Sequence, residues 1–126
     1  DLAVQFNKPI IIHCVRAHEN VLALLQEKKV ASNVIFHGYN RNIELAEKIL
    51  RAGYHLSFGR QLMEDRIQEV LRIVRPDRFF LETDDASVRI EEIYQLAAVT
   101  RDLSLDALSN QIRANFAAVF GIQLRQ

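Results

Sequence analysis

Four short apolar runs recur along this chain, each starting twenty-odd residues after the one before. They are Pro9 to Cys14 ("PIIIHC"), Asn33 to His37 ("NVIFH"), Tyr54 to Phe58 ("YHLSF") and Arg78 to Thr83 ("RFFLET"). Short runs rich in isoleucine and phenylalanine read as buried strands. The spacing between them leaves room for a helical crossover, so consecutive strands are expected to run parallel in right-handed βαβ units. Strands that are apolar throughout agree, because a parallel sheet is covered on both faces.

Helical patterns fill the intervals. Ala17 to Lys28 carries Val21, Leu22, Leu24 and Leu25 on one stripe, and Asn42 to Ala52 carries Ile43, Leu45, Ala46, Ile49 and Leu50. Gly53 stands where that helix is expected to be capped. Glu64 to Val74 forms a third helix, stopped by Pro76, which forces Arg75 toward an extended conformation. After the fourth strand, Ser87 is positioned to cap Val88 to Thr100, and Ser104 to cap Leu105 to Phe120, which ends at Gly121. The opening "DLAVQFN" reads as the tail of an earlier helix. Four strand–helix units and one further helix make either half of a (β/α)₈ barrel or a small open α/β sheet, and periodicity does not choose between them.

The 126 residues fit one domain. Sixteen basic residues balance sixteen acidic ones, so no global charge draws the chain to nucleic acid or membrane. The single cysteine, Cys14, rules out an internal disulfide and suits a reducing, cytoplasmic setting. No apolar run approaches the ~20 residues of a membrane span, and no secretory signal is visible. The first residue is Asp1 rather than Met, which fits a processed chain or an excised piece.

Functional residues in parallel α/β folds gather at the carboxyl ends of strands. Here the first strand ends in His13, the second in His37, the third in Ser57 and Gly59, and the fourth in "ETDD", with Asp84. Two imidazoles and a carboxylate are a plausible ligand set for a divalent metal. Taken singly, each has a plainer reading: a strand-terminal histidine is usually a hydrogen-bonded boundary residue, and "ETDD" suits a helix N-terminus. Three metal-type residues in the same slot of three units favour the site. His18 is expected at the surface in the first turn of its helix, His55 in the core or at its boundary, and Cys14 as a small buried hydrophobe. Arg16, Tyr39, Asn40, Arg41 and Arg60 fall in loops after the strands and are expected to be solvated, though they could meet an anionic substrate. No GxSxG, Walker or GxGxxG pattern occurs.

"KPIIIHCVRAHE", "VIFHGY", "GYHLSFG" and "DRFFLETD" together resemble the TatD family of metal-dependent hydrolases, in order and spacing over the whole chain. The resemblance implies four consecutive βα units of a (β/α)₈ TIM-type barrel with an extra C-terminal helix. Residues 1–126 would then be a single partial-barrel domain of a longer hydrolase. It implies His13, His37 and Asp84 as metal ligands, with Asp84 also orienting or deprotonating the attacking water. Glu82 matches the acid of the family's Glu-Thr-Asp, and Glu82, Arg16 and Tyr39 become candidates for supporting or substrate contacts. One or two divalent ions (Zn, Mg or Mn) and a nucleic-acid substrate follow from the same resemblance.

The departures are specific. The family's amino-terminal His-x-His pair is absent, and no bridging glutamate precedes His13. Val15 stands where the family often has arginine, and Asp85-Ala86-Ser87 leads almost directly into a helix. Gly38-Tyr39-Asn40 follows His37 where a Ser-Gly pair is common. The expected function is therefore phosphodiester hydrolysis of a DNase-like kind, with this chain inactive or nearly so alone and prone to self-association through its open half barrel. Other amidohydrolase-type chemistry (amide, lactone or phosphotriester cleavage) and a non-catalytic α/β module are the alternatives.

Overall fold

A computed structural model describes residues 9–13, 17–30, 33–83 and 88–121. Residues 1–8, read above as the tail of a helix, lie outside this set. Four strands alternate with helices: β1 (Ile10–His13), α1 (His18–Glu27), β2 (Val34–His37), α2 (Ile43–Arg51), β3 (His55–Phe58), α3 (Asp65–Ile73), β4 (Phe79–Leu81), α4 (Ile90–Arg101) and α5 (Leu105–Phe120). The strands form one sheet in sequence order, β1-β2-β3-β4, and every neighbouring pair is parallel. Consecutive parallel pairing is what four βα units of a barrel require.

Local chemistry explains the helix boundaries. Asn42 caps α2 by accepting from the Leu45 N–H at 2.9 Å, and Ser104 caps α5 by accepting from the Ala107 N–H at 3.0 Å. Gly53 takes φ +91° just beyond α2, a conformation that an L side chain rarely adopts. One boundary differs from expectation. Helix α4 begins at Ile90, with Arg89 in the cap position and no side-chain cap. Ser87, read as its cap, lies outside the described residues. Two 3₁₀ turns, Arg60–Met63 and Pro76–Arg78, precede α3 and β4. Periodicity could not show them, because a single 3₁₀ turn is shorter than any hydrophobic repeat.

The strands divide their side chains between two environments. Val34 and Phe36 of β2, Leu56 and Phe58 of β3 and Phe79 of β4 join the helices in the main core. Ile35 and Phe80 instead cluster with Val119 of α5, against which Phe120 packs. Side chains alternate along a strand, so His13, His37, Ser57 and Glu82 share the face of Ile35 and Phe80. In a closed barrel that face is the interior. The carboxyl end of α5 therefore leaves the outer layer and packs on the inner one. Among the described residues, no helix is long and apolar enough to cross a membrane.

Candidate functional site

His13 and His37 end β1 and β2 as register partners. Their ring centroids are 4.2 Å apart with planes inclined at 45°. The parallel register produces this directly: residues in the same slot of adjacent units become neighbours on the same face.

Glu82 follows β4 and extends the ladder, its N–H donating to the Phe58 carbonyl at 2.9 Å. Its side chain turns to the same face. Glu82 Oε2 lies 3.0 Å from His37 Nδ1 and accepts a hydrogen bond from the Ser57 hydroxyl. Both Glu82 and His37 are largely shielded from solvent, with side chains 12% and 18% exposed. Gly59 makes room for the carboxylate, and Gly38 borders it. A Cβ on Gly59 would meet Glu82 Cγ at 3.2 Å, and one on Gly38, where φ is +64°, would stand 3.5 Å from Oε1. An ionised carboxylate only accepts, so with Glu82 ionised this contact requires a proton on His37 Nδ1. In the neutral ring that leaves the lone pair on Nε2, the arrangement in which a carboxylate orients a metal-binding imidazole.

The donor types fit a divalent ion bound by nitrogen and oxygen. Among the described residues no three histidine, cysteine, aspartate or glutamate side chains converge as a metal site; the structure supplies two adjacent imidazoles, one of them oriented by Glu82. Asp84, the third ligand implied by the sequence, lies outside the described residues, as do Arg16, Cys14 and Asp85.

Two residues are placed differently from expectation. His18 is not at the surface: it is 2% exposed. Its ring stacks on Phe36 and meets Tyr39 edge-on. Its Nδ1 lies 3.5 Å from Arg41, and its buried Nε2 has no hydrogen-bond partner among the described residues. Burial and then the Arg41 guanidinium hold His18 below the usual histidine range, against a smaller opposing pull from Glu19. Tyr39 is not a solvated loop residue either but a fully buried core side chain. Its hydroxyl donates to the Asn42 carbonyl at 2.5 Å, its N–H to the Ser57 carbonyl at 2.9 Å, and burial pushes its pKa up. Asn40 accepts from Arg66 at 2.5 Å. Arg41 donates to Glu19 at 3.2 Å. Arg60 is exposed. His55 is buried in the core, as expected, with Nδ1 3.2 Å from the Val34 carbonyl.

A run of parallel βα units with histidines closing neighbouring strands defines one half of a (β/α)₈ barrel with a polar rim. The TatD related DNase family matches residues 1–121, and the chain belongs to that family. It is 26% identical over 135 aligned positions to the Escherichia coli K12 protein named uncharacterized metal-dependent hydrolase YcfH, covering 94% of this chain and 51% of that protein. It is 33% identical over 87 positions to the Bacillus subtilis uncharacterized metal-dependent hydrolase YabD, covering 66% of this chain and 34% of that one. The fold matches the crystal structure of the TatD homologue YjjV from E. coli with a TM-score of 0.87 at 19% identity, over 97% of this chain and 53% of that one. A TatD family hydrolase from Entamoeba histolytica matches with a TM-score of 0.80 at 15% identity, over 94% and 53%. The chain spans about half the length of YcfH and of the two solved structures.

Proposed function

We propose that this chain is the carboxyl-terminal half-barrel of a metal-dependent phosphodiesterase acting on DNA. The observation that carries the reading is the paired rim of His13 and His37, with Glu82 holding the Nδ1 of His37. Family membership supports it. In this reading His13, His37 and Asp84 are metal ligands, and Glu82 keeps the His37 ring in the binding orientation. These residues would hold a divalent ion, which would supply an activated water and offset charge on phosphoryl oxygens. Asp84 orients the attacking water and takes its proton.

The chain contributes part of the ligand set, so it is expected to be inactive or nearly so by itself. The remaining ligands would come from a preceding half bearing the His-x-His pair. The test is a DNA-cleavage assay of the chain alone and of the chain joined behind such a half. Cleavage by the joined protein alone is expected, abolished by chelation and reduced by orders of magnitude in His37→Ala. Cleavage that survives chelation, or is indifferent to His37→Ala, would overturn the proposal.

A further inference from the structure

Ser57 lies in the interior of a strand, is 4% exposed, and has no place in the ligand set proposed above. Its hydroxyl nonetheless donates to the carboxylate oxygen of Glu82 that contacts His37. We propose that Ser57 is a positioning residue that acts through Glu82 to fix the tautomer and orientation of His37.

Three observations converge on this. First, one oxygen, Glu82 Oε2, serves both neighbours, so the hydroxyl of Ser57 and the imidazole of His37 pull the carboxylate to a single place. Second, Ser57 is held by the sheet. Its register partner is Phe80, and its carbonyl accepts from the Tyr39 N–H at 2.9 Å. The hydroxyl therefore projects from a fixed backbone rather than from a loop. Third, Gly59 leaves the carboxylate its place: a Cβ there would press on Glu82 at 3.2 Å from Cγ and 3.3 Å from Oε1. A glutamate has three rotatable side-chain bonds and loses considerable rotamer freedom when ordered. The Ser57 hydroxyl restricts it before any ion binds. Ser57 and Glu82 stand on adjacent strands, β3 and just beyond β4, while His37 ends β2, so the relay joins three consecutive units.

The role given to His37 rests on the proposed metal site, but the relay is measurable without metal. Long-range ¹H–¹⁵N correlation of the labelled 126-residue chain reads the tautomer of each imidazole. His37 is expected in the Nδ1–H form. Ser57→Ala should shift it toward a mixture of tautomers, and Ser57→Thr should restore the Nδ1–H form. An unchanged tautomer in Ser57→Ala overturns the inference. Should the alanine variant fail to fold, the unmodified chain decides: a slowly exchanging Ser57 hydroxyl proton close to the His37 Nδ1 proton is expected, and its absence overturns the relay. Zinc titration provides a separate arm, in which Ser57→Ala should weaken binding by roughly 10-fold, the lower end of supporting-residue effects. An unmodified chain that binds no zinc would contradict the metal site while leaving the tautomer result intact.

Discussion

Asn115 of α5 donates through its side-chain amide to the carbonyl of Phe79 at 2.9 Å, at the point where β4 begins. The same nitrogen donates to the Pro76 carbonyl at 2.8 Å, and its Oδ1 accepts from Gln111 at 2.8 Å. The side chain is almost wholly buried. It satisfies two carbonyls at the turn before β4 and fixes where α5 begins to cross toward the inner face. Removing a buried partner leaves those carbonyls unpaired, at a cost of about 1–3 kcal/mol. Asn115→Ala is therefore expected to lower the unfolding free energy by that amount, read as a lower denaturant midpoint at unchanged slope. An unchanged midpoint would show that water replaces the amide freely.

His18 gives the fold an acid-sensitive point. Its folded pKa is lowered, so the unfolded chain binds the proton more tightly, and stability rises with pH across its titration. The contribution is fully present above the unfolded value of about 6.5 and is lost as pH falls through it. His18→Phe keeps an aromatic ring against Phe36 and Tyr39 and removes the proton site. The variant should show a shallower loss of stability below about pH 6.5 than the parent. Parallel curves would place the sensitivity in other groups.

Much of this architecture could be read from the sequence. Each strand lies within a residue or two of its apolar run because β-rich runs bounded by polar residues have few other solutions. The paired slot of His13 and His37 was also legible, since parallel units repeat the same strand end. The pairing of Ser57 with Glu82 was not. It depends on the register between β3 and β4, which strand composition does not encode. His18 and Tyr39 sit in "RAHEN" and "GYNRN", segments whose polarity suggests solvent. They are buried because the start of α1 packs over β2 and the loop after it, and no local pattern announces that packing. The acid and its flanking loop at Asp84, central to the sequence reading, fall outside the described residues.

Self-association is a further expectation. Among the described residues β1 pairs only with β2 and β4 only with β3, and Ile11 on the inner face is 50% exposed. Open strand edges beside apolar surface favour pairing with another chain. Sedimentation should show concentration-dependent dimers or larger species, reduced by Ile11→Lys. A well-folded monomer at high concentration would contradict this.

His13 and His37 are expected to bind one divalent ion together. X-ray absorption of the zinc-loaded chain tests it most directly, because imidazole nitrogens bound at about 2.0–2.1 Å give a recognisable scattering pattern that can be counted. Two imidazoles on zinc are expected in the unmodified chain and one in either His13→Ala or His37→Ala. A zinc shell unchanged by both substitutions would contradict it.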